Sequence, residues 1–135
     1  MTDLLEAVGR AQSNIDRLAV PDEFRSAVEL VMGFAQQCGA HSLLAASPVA
    51  ERLVGALMAE SEWFAAMAPQ AEADVLIVDV NLASGTAVAN AARLARHAGA
   101  QRVHAAVLFQ LTENAAGAAD CGVDDLAILC GSPAS

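Results

Sequence analysis

The segment Val75-Leu76-Ile77-Val78-Asp79-Val80 constrains the fold more than any other part of the chain. It opens with four consecutive apolar residues, three of them β-branched. Such a run has no polar face, so as a strand it needs cover on both sides. Parallel sheets require such cover and are built from strand–helix–strand crossovers. The flanking sequence agrees. Ser42–Ala46, Val103–Phe109 and Leu126–Cys130 read as further strands, and Trp63–Met67 as a short one followed by an Ala68-Pro69-Gln70 turn. Pro48–Glu60, Thr86–His97 and Asn114–Cys121 read as helices, with Gly99 closing the second of these. Ahead of the strands, Leu4, Val8, Ala11, Ile15 and Leu18 recur at helical steps. Pro21 resets the chain, and Phe24, Ala27, Val28, Val31, Ala35 and Cys38 form a second stripe stopped by Gly39. The expectation is one α/β domain over residues 1–135: a three-layer parallel sheet with helices on both faces, behind two N-terminal helices. Val75–Val80 should be its central strand, between Leu43–Ala46 and Val103–Phe109.

Composition supports a core and removes several functions. At 135 residues, 56% hydrophobic, the chain has the material for one domain and lacks the polar bias of disorder. The longest charge-free stretch, Leu30–Ala50, is broken by Gln36, Gln37, Gly39, His41 and Pro48, so no membrane span is expected. The N-terminus MTDLLEAVGR lacks the basic start and apolar block of a signal peptide, which points to the cytoplasm. Sixteen acids face seven bases, all Arg, for a net charge of −9. No basic stripe is available for nucleic acid. Without Lys, Schiff-base chemistry and a P-loop are excluded.

The small-residue stripes of the first two helices bury little area alone. They suggest burial against another chain, in a homodimer or a complex with a partner protein. Cys38, Cys121 and Cys130 lack metal-ligand spacing and read as buried, reduced thiols. His41, His97 and His104 are isolated and read as packing or surface residues. Asp120, Asp124 and Asp125 lack the alternation of a calcium loop and read as a solvated turn. No metal site is expected from these residues.

Ligands of open parallel sheets bind at the carboxyl ends of the strands. The best such place is Asp79-Val80-Asn81-Leu82-Ala83-Ser84-Gly85-Thr86-Ala87. It offers a carboxylate at the strand tip, a glycine, two hydroxyls and the start of a helix, whose free N–H groups suit a phosphate. The plainer alternative is a helix N-cap with no ligand.

A wider stretch carries a family resemblance. Ala73-Asp74-Val75-Leu76-Ile77-Val78-Asp79 through Ser84-Gly85, then Ala91-Ala92-Arg93-Leu94-Ala95-Arg96-His97-Ala98-Gly99-Ala100-Gln101-Arg102-Val103, resembles the type I phosphoribosyltransferases. Their signature is an apolar strand, two acids, a Thr/Ser-Gly-x-Thr loop and a helix ending in a small-residue turn. The likeness spans roughly Ser42–Leu129 and is specific over Val75–Val103. It implies a phosphoribosyltransferase-like fold, phosphoribosyl pyrophosphate with Mg²⁺ as ligand, Asp79 on the ribose hydroxyls or in acid–base chemistry, and Ala83, Ser84, Gly85, Thr86 and Ala87 around the 5′-phosphate. Ser47 would stand in the pyrophosphate loop.

The departures are equally specific. The second acid is Val80, the last hydroxyl position is Ala87, and Ser47-Pro48-Val49-Ala50 replaces a Gly-Gly loop with a basic residue. Sixteen residues separate Met58 from Val75, little room for a lid. Departure of a charged pyrophosphate needs cations and a closed site. The leading expectation is therefore a domain that binds a ribose phosphate or nucleotide with little or no transfer activity, as a regulatory or partner subunit. The alternatives are an active small phosphoribosyltransferase and an interaction module with an empty pocket.

Overall fold

The computed structural model describes residues 2–60, 74–111 and 115–130. Helix α1 (Thr2–Arg17) and helix α2 (Pro21–Cys38) come first. Strand β1 (Ser42–Ala45), helix α3 (Pro48–Glu60) and strand β2 (Asp74–Leu82) follow. Helix α4 (Thr86–His97), strand β3 (Arg102–Gln110), the short helix α5 (Ala118–Cys121) and strand β4 (Asp125–Ile128) complete the order.

The strands form one sheet in the order β1-β2-β3-β4, and every pairing is parallel. Val75–Val80 lies inside it, with Leu44 opposite Ile77 on one side and Val78 opposite Ala106 on the other. The apolar run of β2 is explained by its two buried faces. Leu76, Val78 and Val80 join a cluster with Val28, Val31 and Ala35 of α2 and Leu53 and Leu57 of α3. Ile77 points the other way, into a cluster with Val88, Ala91, Ala92 and Ala95 of α4. The alternation is the pleat of the strand.

Several expectations shift. The stripe of α2 is spent inside the chain, since Ala27, Val28, Val31 and Ala35 are all buried in this core, and it does not await a partner. β2 runs on past the expected end at Val80 through Asn81 and Leu82, which pair with Phe109 and Gln110. β4 spans Asp125–Ile128 instead of Leu126–Cys130, although Leu129 and Cys130 still donate N–H bonds to Val107 and Leu108 carbonyls. The last helix occupies only Ala118–Cys121, with residues 115–117 non-helical before it. The expected strand Trp63–Met67, its turn Ala68-Pro69-Gln70 and Asn114 lie outside the described residues. No described helix is long and apolar enough to cross a membrane.

Candidate functional site

The carboxyl end of β2 opens into a turn, and α4 starts immediately behind it. Asp79, Asn81, Leu82, Ala83, Ser84, Gly85, Thr86, Ala87, Val88 and Leu111 line a cavity of ≈190 Å³ there. Pockets for drug-sized ligands span about 300–1,000 Å³, so this volume suits one small group such as a phosphate. Every residue singled out in the β2–α4 segment except Val80 therefore meets at one place.

Asp79 is buried and already engaged. Its Oδ1 accepts the Ser47 hydroxyl at 2.7 Å and the Val80 N–H at 2.8 Å. Parallel pairing of β1 with β2 brings Ser47 here, just beyond Ala46, whose N–H bonds the Val78 carbonyl at 2.9 Å. Ser47 Oγ also accepts the Ala50 N–H of the first turn of α3 at 3.4 Å. Burial pushes the Asp79 carboxyl above its ordinary range, against the two hydrogen bonds that pull it down.

Val80 points away from the site. Its side chain is fully buried in the cluster under α2 and α3. The missing second acid is thus a core position in this fold.

The two hydroxyls of the turn face each other. Ser84 Oγ and Thr86 Oγ1 are 3.0 Å apart, and the Thr86 N–H reaches Ser84 Oγ at 3.4 Å. Helix geometry leaves the first-turn N–H groups of α4 without intrahelical carbonyls. The first α4 carbonyl bond is Ala89 N–H to Gly85 O, at 2.8 Å.

Gly85 has a different purpose from the one its motif suggests. Its φ is +80°, and a Cβ there would sit 2.7 Å from Ala116 Cβ and 2.8 Å from Cys121 Sγ. The glycine admits close packing of the segment around α5, so a side chain at 85 meets protein rather than ligand.

Sequence reading missed how α1 holds two residues of this cavity's wall, Asn81 and Leu111. Asn14 Nδ2 donates to Asn81 Oδ1 at 2.8 Å, and Asn81 Nδ2 donates to the Ala11 carbonyl at 3.4 Å. The Arg10 guanidinium donates to the Leu111 carbonyl across 101 residues of sequence. No local pattern signals a contact of that range. Asn81 did carry a hint, as a polar residue inside an apolar strand.

The opposite end of the sheet holds a second polar cluster. His104 is buried, its Nδ1 lies 2.8 Å from Asp125 Oδ2, and its Nε2 lies 3.6 Å from Asp74 Oδ2 without a hydrogen-bond partner. His104, Asp125, Cys38, Gln37 and Arg102 border a cavity of ≈380 Å³. His104 is therefore a packing residue with acidic neighbours, and Asp124 and Asp125 are more than a solvated turn. The Val103 N–H, bonded at 2.8 Å, and then Arg96 hold the Asp124 carboxyl below its usual range.

Of the cysteines only Cys121 is fully buried; Cys38 is half-buried and Cys130 exposed, a correction to the expectation of three buried thiols. Burial raises the pKa of Cys121 and Cys38, which argues against thiolate nucleophiles at either. Among the described residues no group of three or more His, Cys, Asp or Glu is arranged to hold a metal ion.

No protein-family model matches the chain, and no curated protein matches it significantly.

Proposed function

We propose that the chain is a three-layer, phosphoribosyltransferase-like domain that binds a ribose phosphate or nucleotide at the Ala83–Ala87 turn, with little or no transfer activity. The observation that carries this reading is the cavity at the carboxyl end of β2, walled by Ala83–Ala87 and the first turn of α4. A parallel sheet collects ligands at such a place, and the first turn of a helix favours an anion there. Asp79 borders the cavity as an acceptor for ribose hydroxyls.

The same geometry argues against transfer. Asp79 stands alone, is held by Ser47, and has Val80 rather than an acid beside it. One carboxylate is a thin donor set for Mg²⁺, whose other ligands must come from water and ligand phosphates. Metal dependence is therefore expected with phosphoribosyl pyrophosphate and not with ribose 5-phosphate. In this reading the protein works in the cytoplasm as a regulatory or partner subunit, in a homodimer or with another protein.

Calorimetric titration with ribose 5-phosphate, phosphoribosyl pyrophosphate and common nucleotides, with and without Mg²⁺, tests the binding half. Absence of heat with all of them leaves an interaction module with an empty pocket, whose turn only starts α4. Robust pyrophosphate release by the wild-type chain overturns the non-catalytic half.

A further inference from the structure

The amino-terminal end of the sheet holds charged groups that the phosphate reading leaves unused. Parallel pairing sets Asp74 of β2 opposite Arg102 of β3, and His104 of β3 opposite Asp125 of β4. Partners across a sheet share a face, as do residues two apart on one strand. The four therefore stand together on the face that α2 covers. Between them and the last turn of α2 lies the ≈380 Å³ cavity, within the range of small-molecule pockets. Arg102, His104, Asp125 and Cys38 border it, and Phe34 and Leu126 form its apolar part.

His104 leaves this cavity unfinished. The residue is 2% exposed, and its Nε2 is a buried atom without a hydrogen-bond partner. Nδ1 lies 2.8 Å from Asp125 Oδ2, and a carboxylate only accepts, so Nδ1 carries the proton. In the neutral ring Nε2 is then an acceptor, and Asp74 Oδ2, 3.6 Å away, is an acceptor too. Two acceptors so placed call for one donor with at least two hydrogens. Asp74 is a quarter exposed, so its side chain has open space in which to turn and admit one. An ammonium group fits, since it has three donors and brings positive charge beside two carboxylates. The last turn of α2 adds the negative end of a helix dipole and contains no basic residue.

Arg102 supplies the opposite charge. It is exposed, and among the described residues its guanidinium has no hydrogen-bond or ion-pair partner. A carboxylate is the group that a free guanidinium grips best, through two parallel N–H bonds.

We propose that this cavity binds a small aliphatic amino acid as its zwitterion. The ammonium sits between His104 Nε2 and Asp74, near Asp125, and the carboxylate pairs with Arg102. Phe34 and Leu126 take the apolar side chain. The site lies at the opposite end of β2 from the phosphate turn and does not depend on it.

Calorimetry on the full chain with leucine, leucine amide and isocaproate tests each contact, because the amide lacks the carboxylate and isocaproate lacks the ammonium. Leucine should bind, and each analogue about ten- to hundredfold more weakly, the usual range for a charged hydrogen bond. Arg102→Gln should bring leucine down to the level of its amide and leave the amide unchanged. Asp74→Asn sets an amide N–H₂ beside Nε2, so the protein supplies the missing donor itself. It should raise the thermal midpoint while weakening leucine and leucine amide alike. Cys38 reports position: leucine should slow its alkylation, resolved by peptide mass, and leave the exposed Cys130 unaffected. Equal binding of leucine and its amide, or equal losses of both in Arg102→Gln, overturns the carboxylate contact. Unchanged leucine binding in Asp74→Asn overturns the ammonium contact. Absence of heat and of Cys38 protection with leucine in the wild type overturns the whole proposal and leaves Nε2 to water, whatever the chain does with ribose 5-phosphate.

Discussion

Asp79 keeps a carboxylate where burial disfavours its charge, and a buried acid next to a cavity is the kind of group a fold retains for function at a cost in stability. Its pKa in the folded chain lies above the ordinary carboxyl value that it has in the unfolded one. Folding therefore takes up protons between those two values, and stability falls as pH rises through that window. An amide in place of the carboxylate could still accept from Ser47 and Val80 without carrying a charge. We predict that Asp79→Asn raises the urea midpoint at pH 7 and that the gain shrinks toward pH 4; the same gain at both pH values would refute the assignment. Asp79→Asn should also weaken a ribose-bearing ligand while leaving inorganic phosphate nearly unaffected. Val80 behaves oppositely. Sequence alone offers Val80→Asp as restoration of an acid pair, but the side chain lies fully inside the core. An unpaired carboxylate there should destabilise by about 3–5 kcal/mol, read from urea unfolding, and create no ligand contact. Which way residues 79 and 80 point depends on where the pleat stands relative to the helices, and a pattern of residue types does not encode that.

Elements were legible where their signals are local. The stripe of α2 ends at Gly39 because the chain turns there with φ +72°, letting Ala40 N–H reach the Ala35 carbonyl at 2.9 Å and Gly39 N–H the Gln36 carbonyl at 3.2 Å. No neighbour lies within 4 Å of a Cβ at that position, so Gly39→Ala isolates the backbone cost. About 1–2 kcal/mol should be lost in denaturant titration. Gly85→Ala should cost more, because the same left-handed strain adds to contacts under 3 Å with Ala116 and Cys121. Its thermal midpoint should fall further than that of Gly39→Ala, and a loss of phosphate binding in it would report on folding. The motif Ser84-Gly85-Thr86 correctly marked a strand-to-helix turn, whereas the reason for its glycine lay some thirty residues downstream. The end of β2 was obscured for a related reason: Asn81 is stabilised in the strand by α1, far away in sequence.

At the scale of the whole molecule, the parallel pairing of β2 between β1 and β3 followed from one apolar run and its helical flanks, while the surface could not be read that way. Periodicity gives both N-terminal helices an apolar stripe, yet only the fold shows which of them is spent. α2 faces the core. On α1, Leu5 and Val8, three residues apart, are 77% and 59% exposed, although Leu18 just beyond the helix is buried. Contact with a second chain would remove that apolar surface from water, worth about 25 cal/mol per Å². Opposing it, each chain carries a net charge of −9. Repulsion between exposed charges is screened over about 10 Å at 0.1 M salt and over about 3 Å at 1 M. If α1 is the associating face, self-association should therefore strengthen with added salt, contrary to a charge-driven contact. Sedimentation at low and high ionic strength should show the wild type shifting toward dimer, with Leu5→Glu/Val8→Glu remaining monomeric. A monomer at micromolar concentration in both salts, with no co-purifying partner, would refute assembly through α1.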